Sequence, residues 1–413
     1  MNPKRLNQEV RWLGDLLGEV IRKMEGEAGF VLEERIRNLS KARRNGDAHS
    51  AAALSTTIKG LTLDESWLVC RAFSIFFDLS NLAEDRHRVH TLRERELHNQ
   101  VRPESLAAAI EEVRNQNLGP ERVQEILNGI LLEPVFTAHP TEAKRRAVRN
   151  SLRRIRRALN NWEATEDLPR SAEQRRVRRR LMEELQVLWL TDPLLSRRPT
   201  VLEEVDRGMY FMRSLWKVIP RLHRDLKDAL EEAFPGHTFT IPNFIRFGTW
   251  MGGDRDGNPF VTSQVSNETL RKLRRRALRM HTRQSLVLMS QLTHSEHRVL
   301  ASDNLKQKME QALWQWPKLQ NILEPLSSRE VYRRWLAIIH WRLTQSLSQL
   351  KAGGIWPGAY QKSDELKEDL LLLRESLHPQ THSALEDWLV QLHTFGFHLA
   401  TLDIRQEASV YNQ

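Results

Sequence analysis

The sequence predicts a mainly α-helical protein with a few short strands, arranged as part of a β/α barrel with large helical insertions. Apolar residues recur at helical spacing through most of the 413 residues. Three short runs rich in β-branched and aromatic residues lie far apart, near residues 131–138, 243–250 and 397–404. Each run ends in polar residues and precedes a helical pattern, as in a barrel whose site gathers at the carboxyl ends of its strands.

Composition limits the class of protein. The chain is 40% hydrophobic and 28% charged, which is typical of a globular protein and excludes wholesale disorder. The single cysteine, Cys70, excludes a disulfide framework and a thiolate metal site. The first residues lack the apolar core of a signal peptide, and no apolar run reaches membrane-spanning length. We therefore expect a cytoplasmic protein without a membrane partner.

The net charge of +10 requires an anionic partner or simple solvation of basic side chains. Arginine-rich runs occur near residues 145–157, 175–180 and 271–276, and in the first two the arginines fall between apolar residues at helical spacing. This spacing favours helices with one buried and one solvated face. A basic helical nucleic-acid-binding protein remains an alternative, although no zinc-finger or RNA-binding fingerprint supports it.

Residues 1–129 are predicted to form an N-terminal helical region. Helical patterns cover residues 5–60 and then 62–97, and two shorter helices follow Pro103 and Pro120. The remaining residues, 130–413, are predicted to form the first part of a helix-rich barrel of the TIM type.

The first strand run leads to His139. The following Pro140 disfavours helical backbone at the histidine, so the chain stays extended up to it before a helical, arginine-rich segment begins. An imidazole at the carboxyl end of a strand is a candidate for proton transfer or phosphate contact. A structural histidine in a turn is the alternative.

The second strand run follows a helix predicted over residues 201–234 and leads into a glycine-rich stretch. Paired glycines allow a sharp turn and close approach to a ligand, and the stretch offers an arginine between two carboxylates. A calcium loop is excluded because Gly257 is fourth from Asp254, where an EF-hand needs its glycine at the sixth position. The candidate site residues are Trp250, Gly252, Gly253, Asp254, Arg255, Asp256 and Asn258. A plain polar turn is the alternative.

Four segments resemble the phosphoenolpyruvate carboxylase family. Val135 and the run 137–142, with Arg145 and Arg146 after it, are similar to the family's histidine signature. The stretches 250–259 and 403–406 are similar to its second and third motifs, and 76–84 to its N-terminal helical region. The chain is thereby identified as the N-terminal portion of a family member.

The resemblance implies a carboxy-lyase that converts phosphoenolpyruvate and bicarbonate to oxaloacetate and phosphate through carboxyphosphate and an enolate. It implies that His139 is the general base on carboxyphosphate and that Arg405 binds the substrate phosphate. It further implies that Trp250, Arg255 and Asp256 belong to a loop beside the active site. Magnesium or manganese is the implied cofactor.

The resemblance also implies that the metal ligands lie beyond Gln413, so we expect no metal site in this chain and no activity from the chain alone. A homotetramer is implied for the full-length protein. The residues 193–196, inserted before Arg197 and Arg198, depart from the family pattern. Two further alternatives are an inactive regulatory remnant of the family and phosphotransfer through His139.

Overall fold

Helices make up most of the protein, and its strands are short segments of one parallel sheet. The computed structural model describes residues 3–98, 101–137, 144–164, 171–193, 197, 199–377 and 382–411. Among the helices it describes, none combines the length and the apolar character that a membrane span requires. The predicted mainly helical class with a few short strands is confirmed.

The described residues group into two units by their contacts. The first unit lies within residues 1–101 and 140–198, and the second within residues 102–139 and 199–413. This grouping rests on spatial contacts, whereas the division at residue 129 rests on sequence pattern and stays a prediction.

The first unit is built from long helices. These are α1 (Pro3–Arg44), α2 (Ala48–Lys59), α3 (Leu63–Leu97), α6 (Arg146–Glu163) and α7 (Ala172–Leu190). Gly26 interrupts α1 with a positive φ of 76°, a conformation that costs glycine little. At the start of α3, the Thr62 hydroxyl accepts a hydrogen bond from the Glu65 amide and the Glu65 carboxylate accepts one from the Thr62 amide. This reciprocal cap fixes the predicted start of the helix.

The second unit carries the sheet. Its helices before the second strand are α4 (Leu106–Asn115), α5 (Pro120–Gly129), α8 (Val201–Gly208) and α9 (Met212–Ala233). Those after it are α10 (Ser263–Gln291), α11 (Asp303–Gln315), α12 (Leu319–Leu323), α13 (Val331–Ala352), α14 (Ser363–Leu377), α15 (Ser383–Phe395) and α16 (Ala408–Tyr411). The strands are β1 (Val135–Phe136), β2 (Gly248–Thr249) and β3 (Thr401–Leu402).

The helix predicted over residues 201–234 is wrong as a single element, because the chain leaves the helix at residues 209–211. Two contacts of the second unit account for the break. A Cβ on Gly208 would lie 2.1 Å from the methyl carbon of Met251, so α8 packs closely on that side chain. The Phe211 ring lies parallel to that of Phe136, with 6.3 Å between centroids. Tertiary packing therefore overrides a continuous helical pattern.

The sheet has the order β1-β2-β3, and all its strands run parallel. The ring of Phe247, the residue before β2, stacks between those of Phe136 and Phe395, whose centroids are 5.5 and 5.6 Å away. Phe247 and Phe395 are buried. This aromatic stack packs β1 and the residue before β2 against the end of α15.

A buried histidine connects α10 to the turn before β3. His281 Nε2 donates to the Gly396 carbonyl oxygen at 2.9 Å, and its Nδ1 accepts from Trp388 Nε1 at 2.9 Å. Because both ring nitrogens are used in this way, the imidazole is neutral, with its proton on Nε2. Burial lowers the pKa of His281 to about 4.

The lowered pKa predicts acid sensitivity. The unfolded chain binds a proton at this histidine below the ordinary histidine pKa of 6.5, and the folded chain only near pH 4, so stability falls as the pH falls through that window. Between pH 7 and pH 4, the free energy of unfolding should decrease by about 3 kcal/mol less in His281→Gln than in the parent chain, at about 1.4 kcal/mol per pKa unit. Urea unfolding at both pH values measures this. The control His297→Gln, at an exposed position, should keep the full fall, and an equal fall in both variants would contradict the assignment.

Candidate active site

The candidate site lies at the carboxyl edge of the sheet. Because the strands are parallel, the residues that follow β2 and those that follow β3 emerge side by side. The glycine-rich stretch follows β2, and Arg405 follows β3. The sheet thus brings together two predicted site segments that are about 150 residues apart in the sequence.

Backbone hydrogen bonds continue past the strands and join the two segments. The Arg405 amide donates to the Gly253 carbonyl at 3.0 Å, and the Arg255 amide donates to the Arg405 carbonyl at 2.8 Å. Asp254 and Arg405 therefore face each other in a parallel bridge. The backbone that carries the side chains of Asp254 and Arg405 is therefore held in place by these two hydrogen bonds.

Gly252 and Gly253 are required by close contacts. A Cβ on Gly252 would lie 2.2 Å from Thr269 Oγ1, and its φ of 86° is unfavourable for other residues. A Cβ on Gly253 would lie 2.2 Å from the Asp403 carbonyl oxygen. The paired glycines allow the loop to pack against α10 on one side and against β3 on the other.

The Arg405 guanidinium is held by three predicted site residues. Its Nη1 donates to Asp254 Oδ2 at 3.2 Å, and its Nη2 lies 4.0 Å from Asp256 Oδ2. Its central carbon lies 4.0 Å from the centroid of the Trp250 ring. A guanidinium over an indole face gains cation–π attraction, so the group is oriented by stacking as well as by charge.

This arrangement can bind an oxyanion. The Arg405 side chain is 40% exposed, and in the described part of the chain its guanidinium makes one hydrogen bond, to Asp254. A guanidinium has several N–H donors in one plane and matches the oxygens of phosphate or carboxylate. Donors therefore remain available on the solvent side for a ligand.

Two further predicted site residues of the glycine-rich loop, Arg255 and Asn258, have other surroundings than Arg405. The Asn258 side-chain oxygen accepts from the Phe260 amide at 3.1 Å, so it stabilises its own turn. The Nε of Arg255 is buried and has no hydrogen-bond partner among the described residues. The Asp256 amide donates to Asp254 Oδ1 at 3.3 Å, which leaves Asp254 engaged through both carboxylate oxygens.

His139, the predicted base, lies outside the described residues. The strand before it, β1, pairs with β2 so that Phe136 faces Thr249. The described chain continues to Thr137, which follows the end of β1.

A match to a protein family extends over nearly the whole sequence. Residues 6–413 match the sequence model of phosphoenolpyruvate carboxylase. The chain belongs to the phosphoenolpyruvate carboxylase family. The resemblance inferred from the separate motifs is thereby confirmed.

Individual members of the family agree with this assignment. The chain is 37% identical over 422 residues to the phosphoenolpyruvate carboxylase of Roseiflexus castenholzii, with 98% of this chain and 45% of the relative aligned. It is 34% identical over 418 residues to that of Rhodopseudomonas palustris, covering 99% of this chain and 44% of the relative. The corresponding protein of Thermus sp. strain 71 is 33% identical over 407 residues, covering 98% and 43%. The chain spans less than half the length of these relatives.

The described part of this carboxylase family member does not fit a metal ion. Within it, no group of at least three His, Cys, Asp or Glu side chains is close enough to form a metal site. The two carboxylates of the glycine-rich loop, Asp254 and Asp256, both lie beside the Arg405 cation. A metal ion at those carboxylates would have to displace the guanidinium.

The sequence analysis included Asp403 in the third motif but did not predict the charged group that this carboxylate forms beside β2. Asp403 Oδ2 lies 3.3 Å from the position that a Cβ on Gly248 would occupy, so Gly248 makes room for this carboxylate. Arg246 bonds Glu133 at 2.9 Å, and that hydrogen bond, with the charges of Glu133 and then Asp403, raises the pKa of Arg246. The alternation of Arg246, Gly248 and Trp250 along the strand was the signal that could have identified this face.

Proposed function

We propose that this protein takes part in the carboxylation of phosphoenolpyruvate by bicarbonate, which yields oxaloacetate and inorganic phosphate. Membership of the phosphoenolpyruvate carboxylase family supports this reaction. The observation that carries the proposal is the Arg405 guanidinium, which is stacked on Trp250, bonded to Asp254 and partly open to solvent at the carboxyl edge of the sheet.

Arg405 binds the phosphate of phosphoenolpyruvate. Its remaining N–H groups donate to two phosphate oxygens at once, since a guanidinium presents parallel donors. Asp254 and Trp250 orient the guanidinium before the substrate arrives, so less conformational freedom is lost on binding. Bicarbonate then attacks phosphorus, and the bond from phosphorus to the enol oxygen breaks to give carboxyphosphate and the enolate of pyruvate.

His139 is the general base of the next step. An imidazole suits this task because its pKa lies near the working pH. It takes the proton from the carboxyl group of carboxyphosphate, whose carbon–oxygen bond to the phosphate breaks to release CO2. The proton passes to the departing phosphate, and the enolate carbon attacks CO2 to form oxaloacetate.

The cofactor and assembly of the protein are further proposals from its family. Magnesium or manganese acts as the cofactor, with ligands outside the described residues, because those residues offer no metal group. The parallel sheet is part of a β/α barrel, which agrees with the gathering of site residues at the carboxyl ends of its strands. We also propose a homotetramer in the cytoplasm, a compartment that suits a chain with one cysteine.

An assay of a chimera tests the proposal. The 413-residue chain is joined to the C-terminal portion of the Roseiflexus castenholzii relative that lies beyond the aligned region. Oxaloacetate formed from phosphoenolpyruvate, bicarbonate and magnesium is coupled to NADH oxidation by malate dehydrogenase. We expect turnover by the chimera, no turnover by the chain alone, and a loss of at least about 100-fold in kcat for the chimera with His139→Asn.

Two other outcomes would lead to different conclusions. Full activity of the His139→Asn chimera would remove His139 from the mechanism. An inert chimera that is folded by circular dichroism would favour the second candidate function, an inactive regulatory remnant of the family.

A nucleic-acid-binding function receives little support from the first unit. Several arginines of its basic helices are bonded to acids of the same unit, including Arg154 to Glu184 at 2.6 Å and Arg178 to Glu19 at 2.7 Å. Arginines that are paired in this way contribute less to a surface for phosphate backbones.

A further inference from the structure

We propose that the second unit contains a second anion-binding site, separate from Arg405, in a cavity between α10 and the C-terminal end of α13. The ligand is a small anion that presents carboxylate or phosphate oxygens. The cavity has a volume of about 230 Å³. Its walls come from α10, from the last turns of α13 and from the loop that follows α13.

The charge of the lining determines the class of ligand. Arg271 and Arg274 line the cavity from α10, and the other lining residues carry no carboxylate. Uncompensated guanidinium groups around one cavity repel each other, and an anion between them removes that repulsion. The parallel N–H donors of a guanidinium match two oxygens carried by one atom, which both carboxylate and phosphate present.

Arg271 is the group that remains available. It is exposed, and among the described residues it makes no hydrogen bond or ion pair. Glu268 lines a neighbouring cavity together with Arg271, but the two side chains do not form an ion pair. Arg274 is more constrained, because its guanidinium donates to the Gln361 carbonyl at 3.2 Å.

The opposite wall is rigid and polar. The Tyr360 amide donates to Ser346 Oγ at 2.8 Å, and both residues are buried. The side chains of Gln349 and Gln361 donate to each other at 3.1 and 3.2 Å. A preformed wall of this kind lowers the entropy cost of binding.

The loop at the cavity mouth is open. Gly353 and Gly354 both line the cavity and both have a φ of 76°. A Cβ built on either glycine would meet no atom within 4 Å, so the space beside their backbone is empty. A ligand can therefore approach this backbone directly.

Calorimetric titration with inorganic phosphate and with succinate tests the site. All measurements are made on the Arg405→Gln chain at constant ionic strength, so that the proposed substrate site does not contribute. We expect saturable binding of one equivalent of at least one of these anions. Adding Arg271→Gln should weaken it about tenfold, or about 1.4 kcal/mol. The matched control Arg279→Gln removes the same charge from an exposed position of the same helix and should leave it unchanged.

The possible outcomes distinguish a phosphate ligand from a carboxylate ligand. Binding of phosphate alone assigns the site to phosphate groups, and binding of succinate alone assigns it to carboxylates. If neither anion binds, or if Arg279→Gln weakens binding as much as Arg271→Gln, the proposal is overturned. Thermal unfolding without ligand checks that each variant is folded, and Arg271→Lys, which keeps the charge, should bind more tightly than Arg271→Gln. These results do not depend on turnover, so they stand apart from the proposed carboxylation.

Discussion

Replacing Arg405 with glutamine is expected to lower kcat/KM of the active chimera by about 100- to 1,000-fold. In the proposed mechanism the change removes a cation that donates to the substrate phosphate, and losses of this size follow the removal of one donor to a developing negative charge. The guanidinium is also the centre of the site, because Asp254 and Trp250 both contact it. The measurement is the coupled oxaloacetate assay over a range of phosphoenolpyruvate concentrations.

Two companion variants separate charge from orientation. Asp254→Asn keeps Arg405 but weakens its charge-assisted hydrogen bond, so we expect a smaller loss, of about tenfold. Arg279→Gln removes an exposed arginine elsewhere in the second unit and should leave kcat/KM unchanged. An Arg405→Gln chimera that keeps its kcat/KM would show that the phosphate binds elsewhere.

Gly253→Ala is expected to destabilise the second unit by about 3 kcal/mol, the upper end of the usual cost of overpacking. The added methyl group would lie 2.2 Å from the Asp403 carbonyl oxygen, which is backbone and cannot rotate away. The ladder also resists a shift, because the Asp403 amide donates to the Thr249 carbonyl at 2.9 Å. Urea unfolding followed by circular dichroism measures the loss.

Gly257→Ala is the matched control for the steric argument. Gly257 lies in the same loop with a φ of 64°, but a Cβ there would meet no atom within 4 Å. Its substitution should therefore cost only the strain of left-handed backbone, about 1 kcal/mol. Equal losses in the two variants would mean that the contact with Asp403 does not add the expected steric cost at residue 253, whose φ, unlike that of Gly257, is not positive.

Local chemistry made several elements predictable. The Thr62 and Glu65 cap is a pattern readable within four residues, and α3 begins where that pattern predicts. The strands β2 and β3 lie inside runs identified by β-branched and aromatic residues, since such residues favour extended backbone. The glycine pair was recognised as a tight turn because glycine alone permits it.

Other features depend on contacts that no local pattern contains. The pattern of residues 201–234 predicts one helix, whereas the chain leaves the helix at residues 209–211, where Gly208 packs on Met251 and Phe211 packs on Phe136. The sequence also did not reveal that Asn258 stabilises its own turn, because an amide side chain can bond either a ligand or its own loop.

By itself, the sequence determined the helical class, the three strand runs, the family and the residue types at the site. The tertiary structure decided how those residues are combined. Arg405 is stacked on Trp250 and bonded to Asp254 only because parallel pairing of β2 and β3 aligns segments about 150 residues apart. Helical periodicity and strand propensity act over a few residues, whereas strand register and side-chain packing depend on the whole fold. Register and packing at the candidate site therefore could not be predicted from local sequence patterns.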